Sequence, residues 1–118
     1  MKRGDIVRCK PCALMFAWEK LGSRWTLMVL HELFDSPLRF SQLQERVPWV
    51  SGKSLTRVLA KLERNGLIKR NVHRTRPPNV SYSLSMNDPM LREIIDAVLR
   101  WGTKKYLQQE ARRQRRHT

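Results

Sequence analysis

Residues 51–84 read SGKSLTRVLAKLERNGLIKRNVHRTRPPNVSYSL, and this stretch decides the fold. Its first half has apolar residues at i, i+3, i+4 and i+7, the spacing of one face of an α-helix: Leu55, Val58, Leu59 and Leu62. The opposite face carries a row of cations and hydroxyls that suit phosphates and base edges: Ser54, Arg57, Lys61 and Arg64, with Lys53 and Thr56 beside its N-terminal end. We expect Ser51 or Ser54 to cap this helix, and Asn65-Gly66 to end it with a left-handed residue.

A basic β-hairpin is predicted to follow this helix. Residues 67–74 and 80–84 have strand character, and the prolines between them cannot continue a central strand. Four basic side chains fall on or near the tip of this hairpin: Arg70, His73, Arg74 and Arg76. A helix followed at once by a basic hairpin describes a winged helix.

The net charge indicates the class of partner. Residues 51–76 hold eight Lys or Arg against one acid, Glu63, which is half of the chain's net charge of +14. Such an excess predicts a polyanionic partner, either nucleic acid, an anionic membrane surface or an acidic protein. We find neither a hydrophobic run of roughly 18 residues nor a signal segment, so we expect a cytoplasmic protein without a membrane span.

Catalytic chemistry is not indicated. The carboxylates stand singly on predicted helix surfaces, and no nucleophile has a neighbouring base. We therefore expect no enzyme activity and no cofactor.

The chain is expected to form a single mainly α domain with a small β-hairpin, a winged helix-turn-helix. We assign residues 1–10 to an N-terminal arm, 11–109 to the domain and 110–118 to a basic disordered tail. Within the domain, Ser23 should cap a second helix and Ser41 a short third helix that ends at Pro48. This third helix and the basic helix have the spacing of a helix-turn-helix.

The two terminal helices are more apolar than one buried face requires. In the last helix, which Asn87 or Asp88 should cap, one stripe is widened by a second: Leu91, Ile94, Val98 and Trp101, then Ile95, Leu99 and Tyr106. The first helix has a similar excess: Leu14, Met15, Ala17, Trp18 and Leu21. We expect these helices to pair with a second subunit, the alternative being that they only close the core of one chain.

Cys9 and Cys12 form a C-x-x-C pair that allows three interpretations. A zinc site would need further ligands, and the three histidines are scattered singly. The second interpretation is two reduced thiols, one packed and one exposed. The third is a redox-sensing role or an intersubunit disulfide.

The aromatic residues allow either a core or an effector pocket: Phe16, Trp18, Trp25, Phe34 and Trp49. Aromatic side chains at helical spacing favour the core, although a small-molecule or oxidant effector is compatible with the sequence.

Several short blocks occur in order along the chain: Cys12, LGSRWTL at 21–27, RFSQL at 39–43, Ser51 with Leu55-Thr56, LERNGLI at 62–68 and VSYSL at 80–84. In these blocks the chain resembles the HxlR family of winged-helix regulators, whose architecture is related to the MarR type. The resemblance covers about residues 9–102. It implies a homodimeric transcription regulator, joined through its terminal helices, with the basic helix in the major groove and the wing on the flanking minor groove or backbone.

The resemblance also implies roles for single residues. Lys53, Ser54, Arg57 and Lys61 match the recognition helix, Arg74 and Arg76 match the wing, and Arg39 belongs to the RFSQL block. Together with Ser51 and Thr56, these are the candidate DNA contacts. Cys12 matches the N-terminal cysteine with which some members sense oxidants. No cysteine follows it, so a symmetric pairing between subunits or a thiol adduct would be the route.

The chain departs from the family pattern in its excess charge, in its basic tail and at Ser85–Pro89. Each extra phosphate contact adds affinity to every DNA site alike. The expected partner is double-stranded DNA, with a pseudo-palindromic site for a dimer. The alternatives are a non-specific architectural DNA-binding protein and an RNA or protein interaction module.

Overall fold

A computed structural model describes residues 9–85 and 88–116, which belong to two compact units divided after residue 86. The first unit contains α1 (Lys10–Leu21), α2 (Thr26–Glu32), β1 (Leu38–Arg39), α3 (Phe40–Arg46), α4 (Gly52–Arg64), β2 (Ile68–His73) and β3 (Asn79–Leu84). The second contains α5 (Pro89–Arg116). The predicted mainly α fold with a small antiparallel sheet is confirmed.

The apolar face of α4 lies in the core of the first unit. Its four stripe residues are buried, as predicted: Leu55, Val58, Leu59 and Leu62. They share this core with Val29 and Leu30 of α2 and with Leu43 of α3. Burial of the stripe determines which way α4 faces, because its cationic side is left on the surface.

The sheet has the order β1-β3-β2, and both pairs are antiparallel. The hairpin register runs from Ile68 opposite Leu84 to His73 opposite Asn79, so residues 74–78 form the tip. Short β1 pairs with the other edge of β3, with Leu38 opposite Tyr82. The predicted wing is therefore present, and β1 adds a third strand to it.

The structure identifies the cap of α4 between two predicted candidates and corrects the predicted cap of α3. Ser51 rather than Ser54 caps α4, and Gly66 takes the predicted left-handed conformation with φ of 74°. Helix α3 begins at Phe40, two residues earlier than a cap at Ser41 would require, and Arg39 is its N-cap; the Arg39 N–H donates to Gln42 Oε1 at 2.9 Å.

Ser23 does not cap α2, contrary to the prediction. Trp25 is the N-cap of α2, and the Ser23 hydroxyl instead hydrogen-bonds the buried Thr26 hydroxyl. The cap predicted at Ser23 is wrong because this hydroxyl has another hydrogen-bond partner in the packed chain.

Helix α5 continues through residues that the sequence predicts to be disordered. Asp88 Oδ1 accepts the backbone N–H groups of Met90 and Leu91, which caps the start of the helix. Residues 110–116 are helical because Ala, Gln and Arg are strong helix formers, and Arg113 lies 3.6 Å from Glu110 one turn away. Residues 117–118, residues 1–8 of the expected arm and the alternative cap Asn87 lie outside the described residues.

The cysteine pair is a disulfide, which corrects the interpretation as two reduced thiols. Cys9 and Cys12 are bonded, with 5.2 Å between their Cα atoms. Cys9 is the N-cap of α1 and Cys12 stands in its first turn, which brings the two side chains within bonding reach.

The aromatic residues are less buried than a core role requires. Phe16, Trp18 and Trp49 are exposed, whereas Trp25 and Phe34 are half-buried. The expected aromatic core is therefore wrong for the first three. Helix α1 has no buried residue at all, because the core of the first unit is filled by aliphatic side chains from α2, α3 and α4.

Candidate nucleic-acid interface

Helices α3 and α4 form a helix-turn-helix. The turn between them spans residues 47–51, and Val47 and Val50 anchor it in the core. Gln44 Nε2 donates to the Val50 carbonyl at 2.5 Å, which ties the end of the turn back to α3. This bond and the two valines hold the start of α4 in a defined position.

The exposed row of α4 carries the cations that the sequence predicts. Lys53 and Arg57 are exposed, one turn apart, and Lys61 is half-buried a further turn along. In the described part of the chain, Glu32 forms ion pairs with His31 and Arg46, and Glu110 forms one with Arg113. Those two carboxylates therefore leave the cations of α4 available to a polyanion.

The serine hydroxyls at the start of α4 are arranged around the cap. Ser51 Oγ accepts the Ser54 N–H and donates to Ser54 Oγ at 3.0 Å. Its own proton is therefore used, whereas the proton of the Ser54 hydroxyl is left for an external acceptor. Of the two serines, Ser54 is the better donor to a base or phosphate.

Thr56 presents a different group from the one expected. Its hydroxyl donates to the Gly52 carbonyl at 2.8 Å, within the helix. The side chain is exposed, so its methyl group and its acceptor lone pairs remain at the surface. Thr56 is suited to apolar contact with a base methyl group rather than to donation.

The wing supplies a second set of cations. Arg74 and Arg76 are exposed at the tip, where the Thr75 hydroxyl donates to the Pro77 carbonyl at 2.8 Å and so closes a local turn. Along β2, Lys69 and Arg70 are also exposed. Lys69 is absent from the residues that the sequence singles out, although its place in a basic strand is a signal that could have identified it.

Cross-strand hydrogen bonds stiffen this wing. Asn71 Nδ2 donates to Ser83 Oγ at 3.0 Å, and His73 Nε2 lies 3.1 Å from Ser81 Oγ. These bonds add to the backbone ladder, so the tip extends from a braced hairpin.

Arg39 lies apart in sequence but within the same unit. It is exposed, at the end of β1 and the start of α3, and its backbone pairs with Ser81 of β3. The structure therefore places the candidate contacts in three groups: the row on α4, the wing tip and the start of α3.

Trp49 is a surface residue near the start of α4 that the sequence does not single out as a DNA contact. It stands two residues before Ser51, is 60% exposed, and donates its indole N–H to Met28 Sδ at 3.1 Å. Its exposure has no clear signal in the sequence, because Val47 and Val50 of the same turn are also apolar and are buried.

Among the described residues, none of the helices has the length and apolar character needed to cross a membrane.

Comparisons with known proteins agree with this architecture. Residues 20–111 match the family described as HxlR-like helix-turn-helix. A helix-turn-helix-type transcriptional regulator of Methanothermobacter thermautotrophicus is 38% identical over 91 residues, which cover 77% of this chain and 70% of that protein. The regulator YodB of Bacillus subtilis is 33% identical over 86 residues, covering 73% of this chain and 77% of that one.

A solved structure shows the same fold. The redox regulator HypR in its oxidized form superimposes with a TM-score of 0.74 at 28% identity, covering 79% of this chain and 96% of that one. With a winged helix-turn-helix in the structure and a family match over most of its length, the chain belongs to the HxlR-like helix-turn-helix family.

Proposed function

We propose that this protein is a transcription regulator that binds double-stranded DNA in a sequence-specific manner as a homodimer. The observation that carries the proposal is the division of α4 into a buried face and an exposed cationic face. In a helix-turn-helix, the second helix enters the major groove with its N-terminal residues toward the base edges. The exposed N-terminal residues of α4 have the chemistry for this task.

We divide the candidate residues into base contacts and phosphate contacts. We assign base contacts to Lys53, Ser54 and Arg57, because they lie in the first turns of α4 and offer donors to acceptors on the base edges. Phosphate contacts are assigned to Lys61, Arg39, Arg74 and Arg76, and apolar contact to Thr56, whereas Ser51 caps the helix that carries the base contacts. The braced wing would hold its two arginines against the flanking minor groove or backbone.

A homodimer is supported by the exposed apolar surface of α1. Four large side chains of this helix are more than 60% exposed in the single chain: Leu14, Met15, Phe16 and Trp18. A surface of this kind marks an interaction site in soluble proteins. Helix α5 likewise exposes apolar residues: Met90, Ile94, Val98, Leu99, Trp101, Tyr106 and Leu107. A two-fold dimer would present two copies of α4 to a pseudo-palindromic site.

The experiment that tests this proposal is selection of bound duplexes from a random pool at fixed salt. We expect an enriched pseudo-palindrome whose half-sites lie about 10 base pairs apart, or a multiple of that. A variant with Lys53→Ala and Arg57→Ala, selected in parallel, should lose the enrichment. Binding without enrichment would instead indicate an architectural DNA-binding protein, and preference for single-stranded RNA would indicate an RNA module.

The Cys9–Cys12 disulfide favours redox control of this binding as an additional property. Two thiols in the reduced chain would form it by exchange with a low-molecular-weight disulfide, which is reduced to two thiols as the protein bond forms. The bond closes the first turn of α1, the helix that carries the exposed apolar surface. A change at this turn would act on the proposed dimer and, through it, on DNA affinity.

A further inference from the structure

The net charge of the chain is concentrated in two segments. Residues 51–76 carry +7, and residues 104–116 carry six basic residues and one acid, which gives +5. All other residues hold ten basic and eight acidic side chains, a net charge of only +2. A general excess of positive surface charge would be spread along the chain. The concentration of charge in residues 104–116 therefore needs a separate explanation.

This second segment, which we call the cationic helix end, is residues 104–116 of α5. The structure shows it as helix throughout. Positions 105, 109, 112 and 116 follow i, i+4, i+7 and i+11 and therefore share one face. A shallow groove on that face is lined only by basic and amide side chains: Lys105, Gln108, Gln109, Arg112, Arg113 and Arg116.

The cationic helix end carries more positive charge than favourable interaction with the helix dipole explains. Cations near a helix C-terminus interact favourably with the helix dipole, but this effect is confined to about the last turn. Lys105 and Arg112 lie before that turn. Arg112 and Arg116 are also four residues apart, a spacing at which like charges repel and destabilise a helix. A polyanion bound along this face would remove the repulsion.

The residue composition of the cationic helix end favours nucleic acid over a membrane surface as its partner. A membrane-bound amphipathic helix needs an apolar face opposite its cations. The large apolar residues of the cationic helix end, Tyr106 and Leu107, both lie in its first turn, and residues 108–116 have no apolar residue larger than Ala111, so this part lacks such a face. Arginine matches phosphate oxygens in bidentate geometry, and glutamine amides between the cations add neutral donors.

We infer that the cationic helix end is a second DNA-binding surface, which contacts the phosphate backbone of the duplex bound by the winged helix. The inference rests on the proposed DNA binding. It assigns to this surface affinity without sequence preference, because phosphates are the same at every site.

The test compares two variants of equal net charge. The first changes the shared face, K105Q/R112Q/R116Q, and the second changes three cations outside both segments, K10Q/R92Q/R100Q. Binding to the selected duplex and to a random duplex, both with long flanks, is measured over a range of salt concentrations. A plot of log affinity against log salt has a negative slope. Its magnitude should decrease by about 0.9 for each phosphate that the variant no longer neutralises.

We expect the first variant to lower this slope and to lose the same factor in affinity on both duplexes. The charge-retaining variant K105R/R112K/R116K should keep the wild-type slope, and circular dichroism should show helix in all three. Equal slopes for K105Q/R112Q/R116Q and K10Q/R92Q/R100Q would overturn the inference. Failure of the wild type to bind any duplex would instead refute the proposed function.

Discussion

Ser51 Oγ accepts the backbone N–H of Ser54 at 3.1 Å, and this hydrogen bond sets the first turn of the helix proposed to read DNA. Replacing Ser51 with Ala leaves that N–H without its partner, so Ser51→Ala should lower the free energy of unfolding by about 1 kcal/mol. Urea denaturation measures the change. Ser41→Ala, which alters an exposed hydroxyl in the first turn of α3, should stay within about 0.5 kcal/mol of wild type. Equal losses for both would refute the capping role.

The apolar face of α4 should dominate the stability of the first unit. Leu62 is fully buried, so Leu62→Ala should cost about 2–5 kcal/mol through lost transfer free energy and the cavity left behind. Val72, which is 57% exposed on the wing, provides the control, since Val72→Ala should cost no more than about 1 kcal/mol. A loss below about 1 kcal/mol at Leu62 would contradict the packing described.

Base contacts and phosphate contacts should separate in binding measurements. Arg57→Ala should weaken the selected site by about 1–3 kcal/mol and a random duplex much less, because the variant can no longer donate to a base edge. Arg74→Ala should weaken both duplexes alike and make the salt dependence less steep by about 1, because the wing tip is proposed to contact phosphate. Equal loss on both duplexes for Arg57→Ala would exclude direct base reading by that residue.

The exposed face of α1 should control association. Trp18 is 70% exposed in the single chain, and Trp18→Glu would place a charge in the proposed dimer interface. We expect the dimer dissociation constant to rise at least about 30-fold, which corresponds to the roughly 2 kcal/mol of a hot-spot residue. Sedimentation equilibrium measures it. Ser41→Glu introduces the same charge elsewhere and should leave association unchanged; an unaltered Trp18→Glu dimer would exclude α1 from the interface.

We expect the proposed redox control to require both cysteines. Treatment of the reduced protein with a low-molecular-weight disulfide should change affinity for the selected duplex in the wild type but not in Cys9→Ser or Cys12→Ser. Mass spectrometry of non-reduced peptides should show the internal Cys9–Cys12 bond. If Cys9→Ser still responds, a Cys12 adduct or an intersubunit bond is the active species. If all three proteins respond alike, the pair has no sensing role.

Local chemistry explains why much of the winged helix could be predicted. The spacing of the four buried residues of α4 specifies a helix with one apolar face, and Asn65-Gly66 supplies its end because glycine adopts positive φ without a steric penalty. The prolines at the wing tip cannot continue a central strand. These signals involve neighbours within one or two turns, so the linear sequence contains them.

Side-chain partners were less predictable. Ser23 and Ser41 have the residue type of a cap, but Trp25 and Arg39 occupy the capping positions. The reduced-thiol interpretation failed for a related reason: composition does not specify the geometry that brings Cys9 and Cys12 into bonding distance. The helix from residue 110 to 116 has no apolar periodicity, and its helix-forming propensity competes with a charge pattern that is typical of disorder.

The sequence by itself determined the winged helix-turn-helix and the face that α4 presents, because hydrophobic periodicity and turn residues act locally. Only the tertiary structure decided which hydroxyls near α4 are already bonded, and that Trp18 and Trp49 lie on the surface. Burial is set by competition among all apolar side chains for one core. In the first unit aliphatic residues of α2, α3 and α4 fill that core, which leaves the aromatic side chains of α1 exposed.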